Sequence, residues 1–200
     1  RNRILNKLIR RYLILVGILM IFWLTIRIIK WRFLSVTDPV GRYLWYAYYI
    51  PMIMIPLFGV FIVQYVGKRE DYVIPKKFNL LLIPSVALLV FIFTNDIHRC
   101  VFEFPEGIIN YNDIYDYKWG FFIVVAWFVS LGFYFTVMLL VKSRVPGSRS
   151  FQRLPAVIMV LAAGLWALYS LGILKIDLAA MDCLIIALLL ESAIQSGLIR

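Results

Sequence analysis

Charged side chains inside apolar stretches are the first candidates for chemistry in this sequence. Arg27 lies near the end of the first long apolar stretch, and Asp182 lies near the start of the last one. A charge inside a membrane costs about 2.5–3.5 kcal/mol on insertion scales, so such residues usually pair or line a polar cavity. One interpretation is that Arg27 and Asp182 pair at similar depth and border a ligand pocket. The alternative is that the Arg27 side chain extends to the membrane interface.

Aromatic side chains are expected near the same depth as this pair. Tyr49 lies in the first part of the second apolar stretch, and Trp166 and Tyr169 lie within the fifth. Trp and Tyr favour membrane interfaces without binding any ligand, which is one interpretation of the whole aromatic group. Trp166 and Tyr169 lie deeper than an interfacial belt requires. We therefore predict them as pocket walls, with Tyr49 as a further ligand-binding residue.

His98 is the single histidine, and it ends the polar motif Thr94-Asn95-Asp96-Ile97-His98. Its acidic and aromatic surroundings could shift its titration, but a lone histidine at a helix end is more often an interfacial hydrogen-bonding residue. We place it at the edge of the ligand site. Cys100 and Cys183 have no partner at metal-ligand spacing, so we predict no metal and no cofactor. Two free thiols and a disulfide between them are both compatible with the sequence.

The last apolar stretch carries small residues, Ala180, Cys183 and Ala187, at helical spacing, which favours close helix packing. Glu191 and Gln195 continue this stripe. We predict that they relay motion to a following domain, and the alternative is a buried hydrogen bond within the bundle. The chain has no Ser-His-Asp arrangement, no His-Glu-x-x-His motif and no glycine-rich phosphate loop, so we predict no enzymatic activity.

The composition indicates a membrane protein. Hydrophobic residues make up 63% of the chain and charged residues 16%, whereas soluble domains are about half apolar and a quarter charged. The net charge of +10 comes from Lys and Arg located between apolar stretches. This distribution is typical of membrane topology and not of a nucleic-acid-binding face, so no nucleic acid is expected as a partner.

Six stretches have the length of about 20 residues that a spanning helix needs. They lie at about residues 12–29, 44–66, 78–95, 119–141, 154–174 and 178–199. We predict an all-α fold, a polytopic transmembrane bundle that forms one domain over residues 1–200. Within the loop at about 96–118, between spans three and four, Val101–Phe104 and Ile108–Tyr111 flank the turn Pro105–Gly107. This pattern predicts a small β-hairpin.

The orientation follows from the basic residues. Lys and Arg are concentrated before the first span, between spans two and three, and between spans four and five. The positive-inside rule places these segments in the cytoplasm. Both ends of the sequence are then predicted to be cytoplasmic, and the hairpin loop extracytoplasmic.

Short motifs along the chain resemble a known group of receptors. They are Tyr49-Ile50-Pro51, Gln64-Tyr65-Val66-Gly67, Ile83-Pro84, Thr94-Asn95 with His98, Lys118-Trp119-Gly120-Phe121-Phe122, and Leu171-Gly172-Ile173 before Asp177. From Tyr12 onward the chain resembles the seven-transmembrane N-terminal region of bacterial sensor histidine kinases and related signalling proteins. The resemblance implies a receptor in the bacterial plasma membrane, joined beyond Arg200 to a kinase, diguanylate cyclase or DNA-binding output domain. The family has seven spans and this chain has six predicted ones. The resemblance therefore also implies that the family's first helix either precedes Arg1 or is absent.

These observations lead to two main functional hypotheses, beside a third class, a purely structural membrane partner. The first is a receptor for an extracytoplasmic or membrane-derived small molecule or peptide, which relays the signal through the last helix to a cytoplasmic output domain. Its expected partners are that ligand, the lipid bilayer, the output domain and a second copy in a homodimer. The alternative is a small transporter or permease with Arg27, Asp182 and Glu191 on a substrate path, although the chain lacks the internal repeat common in transporters.

Overall fold

The structure is a computed structural model, and it describes residues 7–34, 39–66, 68, 72–104, 115–142, 157–158, 160–161, 164–165 and 178–195. Most of these residues are helical. The helices are α1 (Lys7–Phe33), α2 (Pro39–Ala47), α3 (Tyr49–Tyr65), a 3₁₀ helix (Lys76–Leu81) that leads into α4 (Leu82–Phe93), α5 (Asn95–His98), α6 (Trp119–Lys142) and α7 (Leu178–Gln195).

Four helices in the described part of the chain are long and apolar enough to cross a membrane. They are Lys7–Phe33, Val40–Tyr65, Lys76–Phe93 and Trp119–Lys142, and they match the first four predicted spans. The fifth predicted span, 154–174, lies mostly outside the described residues. The sixth, 178–199, is helical as far as Gln195, but it is not among these four. The six-span topology therefore stays a prediction.

Prolines explain where the second and third spans are irregular. α2 ends at Ala47 and α3 begins at Tyr49, so Pro51 falls in the first turn of α3, where a helix needs no amide donor. Pro84 has the same position at the start of α4, directly after the 3₁₀ helix. Pro56 lies inside α3, where its missing N–H removes one helical hydrogen bond.

A two-stranded antiparallel sheet follows α5. Strand β1 (Phe102–Glu103) pairs with β2 (Asp116–Tyr117), with Phe102 opposite Tyr117 and Glu103 opposite Asp116. β1 lies within the predicted first strand. The predicted second strand, Ile108–Tyr111, and the predicted turn, Pro105–Gly107, lie outside the described residues.

The chain divides into two compact units. One, which we call the terminal unit, comprises Arg1–Ile14, Val60–Ile74 and Phe133–Arg200, and the other, the central unit, comprises Leu15–Gly59 and Pro75–Gly132. A hydrophobic cluster of seven buried side chains forms the core of the terminal unit: Ile9, Ile62, Val63, Tyr65, Val66, Phe135 and Leu139. Buried side chains of the central unit include Trp23, Tyr46, Ile53, Ile92, Phe102 and Val124.

The first turn of α6 packs so closely on its neighbours that one position requires glycine. A methyl group at Gly120 would lie 2.7 Å from Phe91 Cε1 and 2.8 Å from the carbonyl oxygen of Cys100. The backbone N–H of Gly120 also donates to that carbonyl at 3.0 Å. The absence of a side chain at Gly120 therefore permits the contact between α6 and the chain after α5.

We expect Gly120→Ala to lower the stability of the protein. Overpacking costs about 1–3 kcal/mol, because the carbonyl of Cys100 is backbone and cannot move aside easily. Gly132→Ala, in the same helix, is the matched control, since a methyl group there meets nothing within 4 Å. That variant should gain up to about 1 kcal/mol from helix propensity. Thermal unfolding in detergent measures both, and equal melting temperatures would contradict the interpretation.

Candidate functional site

The polar segment after α4 is built around the side chain of Asn95. This carboxamide is fully buried. Its Oδ1 accepts hydrogen bonds from the backbone N–H groups of Val101 and Phe102, both at 3.0 Å. Its Nδ2 donates to the carbonyl of Phe102 at 2.9 Å and to the hydroxyl of Tyr46 at 3.2 Å. All four hydrogen-bonding positions of the amide are used.

Asn95 thus fixes the turn from α5 into β1 and joins this turn to α2. We call the segment Thr94–Phe104, together with Tyr115–Lys118, the cap. The backbone helps to form the same turn. Arg99 has a left-handed conformation with φ of 51° and donates its N–H to the carbonyl of Asn95 at 2.7 Å, which ends α5.

A half-buried ion pair lies next to Asn95. Asp96 Oδ1 accepts a hydrogen bond from the Tyr46 hydroxyl at 2.7 Å and one from Arg42 Nη1 at 3.2 Å. The side chains of Arg42 and Asp96 are 19% and 29% exposed, so solvent reaches both. The Arg42 guanidinium lies 4.2 Å from the ring centroid of Phe104, a cation–π contact. Tyr46 connects the two polar groups, because its hydroxyl accepts from Asn95 and donates to Asp96.

His98 anchors the cap to α4. Its Nε2 lies 2.9 Å from the carbonyl oxygen of Phe91, and its Nδ1 lies 3.0 Å from the backbone nitrogen of Cys100. A carbonyl can only accept and a backbone N–H can only donate. The arrangement therefore requires a neutral imidazole protonated at Nε2. The ring also stacks on that of Phe91, with centroids 4.4 Å apart. This geometry supports the hydrogen-bonding interpretation of His98.

An aromatic cluster surrounds Phe102 of β1, whose side chain is fully buried. Six rings have centroids 4.4–6.2 Å from that of Phe102: Trp45, Tyr46, Tyr49, Tyr115, Tyr117 and Phe121. The cluster joins the cap to α2, α3 and α6. Tyr49, predicted as a ligand-binding residue, packs in this cluster and is 5% exposed.

The exposed edge of the cap carries a second ion pair. Lys118 Nζ contacts Glu103 Oε2, and both side chains are substantially exposed. The hydrogen bond and charge of Lys118 lower the pKa of the Glu103 carboxyl. The same contact raises the pKa of the Lys118 amine. The backbone N–H of Lys118 donates to the carbonyl of Val101 at 3.0 Å, which ties the start of α6 to the cap.

An apolar groove of about 610 Å³ runs between α4 and α6. Its lining residues are Pro84, Ala87, Leu88, Phe91, Ile123, Ala126, Trp127 and Ser130. The polar atoms of this region are satisfied within the protein, since Trp127 Nε1 donates to Ser85 Oγ and Ser130 Oγ to its own helix. In the described part of the chain, no group of three His, Cys, Asp or Glu side chains could hold a metal ion.

The predicted ligand site stays a prediction at each of its residues. Arg27 of α1 and Asp182 of α7 are each half-buried, but they belong to different units, and their pairing stays a prediction. Trp166 and Tyr169 lie outside the described residues. Of the predicted relay residues, Glu191 is exposed, and the side chain of Gln195 lies outside the described part.

Sequence reasoning did not single out Arg42 and Asp96 as a pair. They are 54 positions apart in the chain, and each stands near the end of a different apolar stretch. Opposite charges at the same end of neighbouring spans are the signal that could have found them. Asn95 was noted only as part of a motif, because its role depends on backbone groups that become available after folding.

We expect Asn95→Ala to be among the most destabilising single changes in the cap. It removes all four side-chain hydrogen bonds of Asn95, and each buried group left unsatisfied costs about 1–3 kcal/mol. The matched control is Asn79→Ala, because Asn79 is exposed. Thermal unfolding in detergent should show a large loss for Asn95→Ala alone. Similar melting temperatures for the two variants would mean that the Asn95 amide does not hold the cap.

The ion pair of Glu103 gives a prediction for acid pH. Because its pKa is lowered in the folded protein, the contact is intact at neutral pH and is lost as the pH falls through that lowered value. In Lys118→Met, a carboxyl-carbon NMR titration should place the pKa of Glu103 higher than in the wild type. Lys76→Met, at an exposed lysine in the 3₁₀ helix, should not change it. An unchanged Glu103 titration in Lys118→Met would contradict the assignment.

Comparison with known proteins confirms the resemblance noted in the sequence. Residues 2–197 match the model of a family described as the N-terminal 7TM region of histidine kinase. No curated protein and no solved structure matches the chain. The family implies a membrane-embedded bacterial sensor in two-component signalling, a region that is not itself catalytic and has a linked output domain. The chain therefore belongs to the family of N-terminal 7TM regions of histidine kinases.

Proposed function

We propose that this sensor region binds an extracytoplasmic or membrane-derived ligand at the end of the bundle that carries the cap, and relays the change through α7 to a cytoplasmic output domain. The observation that carries the proposal is the attachment of the cap to several spans. Asn95 bonds to Tyr46 of α2, His98 to the Phe91 carbonyl of α4, and Cys100 to the Gly120 N–H of α6. A ligand that displaces the cap must therefore displace these helix ends.

The ion pair between Arg42 and Asp96 is the part of the cap best suited to change. Both side chains are partly exposed, and a partly exposed ion pair contributes little stability, so a polar ligand can replace one partner at low cost. The Asn95 amide is fully buried and holds the rest of the cap. Ligand binding would then shift the balance between two arrangements of the cap, provided that the ligand favours one of them.

The ligand-binding residues in this proposal are those that the sequence predicts: Arg27, Tyr49, His98, Trp166, Tyr169 and Asp182. Tyr49 and His98 also hold the cap together, so substitutions there would affect folding as well as ligand binding. Arg27 and Asp182 provide the cleaner test. The distribution of Lys and Arg supports a cytoplasmic C terminus in the bacterial plasma membrane, and a homodimer stays a prediction.

We expect Arg27→Ala and Asp182→Asn each to change the basal activity of the output domain in the intact protein. Each variant leaves one intramembrane charge without the partner that the proposal assigns to it. If the two residues act together, the double variant should differ from the sum of the singles. Output activity in membrane vesicles is the measurement. Arg32→Ala is the control, because Arg32 is an exposed cation near the end of the same helix.

Wild-type activity in both single variants would mean that the ligand pocket does not include Arg27 and Asp182. Additive effects would retain both residues and exclude their pairing. An effect of equal size in Arg32→Ala would show a general response to lost positive charge in α1.

A further inference from the structure

The C-terminal end of α3 is capped by a side chain from another helix. Because α3 ends at Tyr65, the carbonyls of its last turn lack helical amide donors. Lys142 Nζ, at the end of α6, donates to the carbonyl of Val63 at 2.7 Å and lies 3.5 Å from the carbonyl of Gln64. An ammonium group at a helix C-terminus also interacts favourably with the helix dipole. Lys142 therefore fixes the end of α3 to the end of α6.

A second polar contact joins the same two helices. The side chain of Gln64 is buried, and its Nε2 donates to the hydroxyl of Tyr134 in α6 at 3.0 Å. Two hydrogen-bonded contacts at different points along α6 restrict both sliding and rotation between the helices. The end of α3 and the second half of α6 should consequently move together.

The core of the terminal unit lies beside these contacts, and we call its seven buried residues, given above, the seat. Val63 belongs to both features, because its carbonyl is capped by Lys142 and its side chain is fully buried in the seat. Leu190 and Ile194 of α7 pack against the seat. They are one helical turn apart and so share one side of α7.

We propose that α7 receives the signal at Leu190 and Ile194, and that Lys142 is the positioning residue that holds the seat against which they pack. This inference rests on the proposed function, and it identifies the point at which the relay helix is engaged. A displacement of α3 or α6 moves Val63. This movement changes how the seat packs against Leu190 and Ile194. Packed cores accommodate such changes by switching between discrete arrangements.

This engagement of α7 does not require a relay through polar side chains. Glu191 follows Leu190 directly, but its side chain is exposed. The contact between α7 and the seat is apolar and depends on shape. Shortening Leu190 or Ile194 to alanine should therefore affect the relay more than removing the Glu191 charge.

The first test measures the position of α7 in the intact protein in lipid nanodiscs. Nitroxide labels at Arg10→Cys and Glu191→Cys, both exposed positions, are introduced into a Cys100→Ser, Cys183→Ala background. Pulsed electron paramagnetic resonance then gives the distance distribution between α1 and α7. Lys142→Met should broaden or shift this distribution, whereas Lys142→Arg should restore it, because arginine can also donate to the α3 carbonyls. An unchanged distribution in Lys142→Met would overturn the positioning role of Lys142.

The second test measures the output and needs no change at Lys142. Leu190→Ala and Ile194→Ala should each alter basal output activity by about 2- to 30-fold, the range typical of residues that couple two sites. Leu188→Ala is the matched control, because Leu188 lies in the same helix but is 49% exposed. Equal output in Leu190→Ala and Leu188→Ala would overturn the relay role. Thermal unfolding of each variant separates altered output from loss of the fold.

The two proposals can fail separately. If Arg27→Ala and Asp182→Asn leave output unchanged while Leu190→Ala alters it, the relay holds and the ligand pocket is wrong. A second outcome is that Lys142→Met changes the distance distribution while none of the output variants, at Arg27, Asp182, Leu190 and Ile194, changes output. In that case the seat positions α7, and the proposed receptor function is wrong.

Discussion

The cap depends on one interaction, the saturation of the Asn95 carboxamide. A buried amide without partners costs several kcal/mol in an apolar environment, so the four hydrogen bonds of Asn95 must form together. They supply partners for backbone groups of Val101 and Phe102 that no long ladder satisfies. A one-turn helix and a two-residue sheet are too short to be stable alone. The Asn95 amide allows both to persist at the end of a transmembrane helix.

Helix ends recur as the places where this chain makes its polar contacts. His98 uses a carbonyl near the end of α4, and Lys142 uses a carbonyl in the last turn of α3. Helix termini expose backbone groups that interior turns do not, so side chains can bind there without interrupting a span. Contacts of this kind transmit displacement well, because moving the side chain moves the end of a whole helix.

The sequence predicted those parts of the fold that the thickness of the bilayer determines. Span length follows from membrane thickness, and four predicted spans match helices of the structure. Strand β2 was not foreseen, because it is two residues long and its pairing follows from the Asn95 turn and the backbone contact of Lys118, with no alternating pattern to mark it. Leu190 and Ile194 were not recognised, since nothing in their residue type distinguishes them from the other leucines and isoleucines of an apolar helix.

The geometry of the cap separates a rigid part from an adjustable one. His98 accepts a hydrogen bond from the Cys100 N–H at Nδ1 and donates one to the Phe91 carbonyl at Nε2, so both ring nitrogens are used within the protein. Asn95 has no spare position to offer a ligand. The Arg42–Asp96 contact differs, because one hydrogen bond links the two charges and solvent reaches both. A signal that reaches the cap from the aqueous side would therefore act first on this ion pair. The Tyr46 hydroxyl, which bonds to both Asp96 and Asn95, would carry the change to the buried amide and to α2.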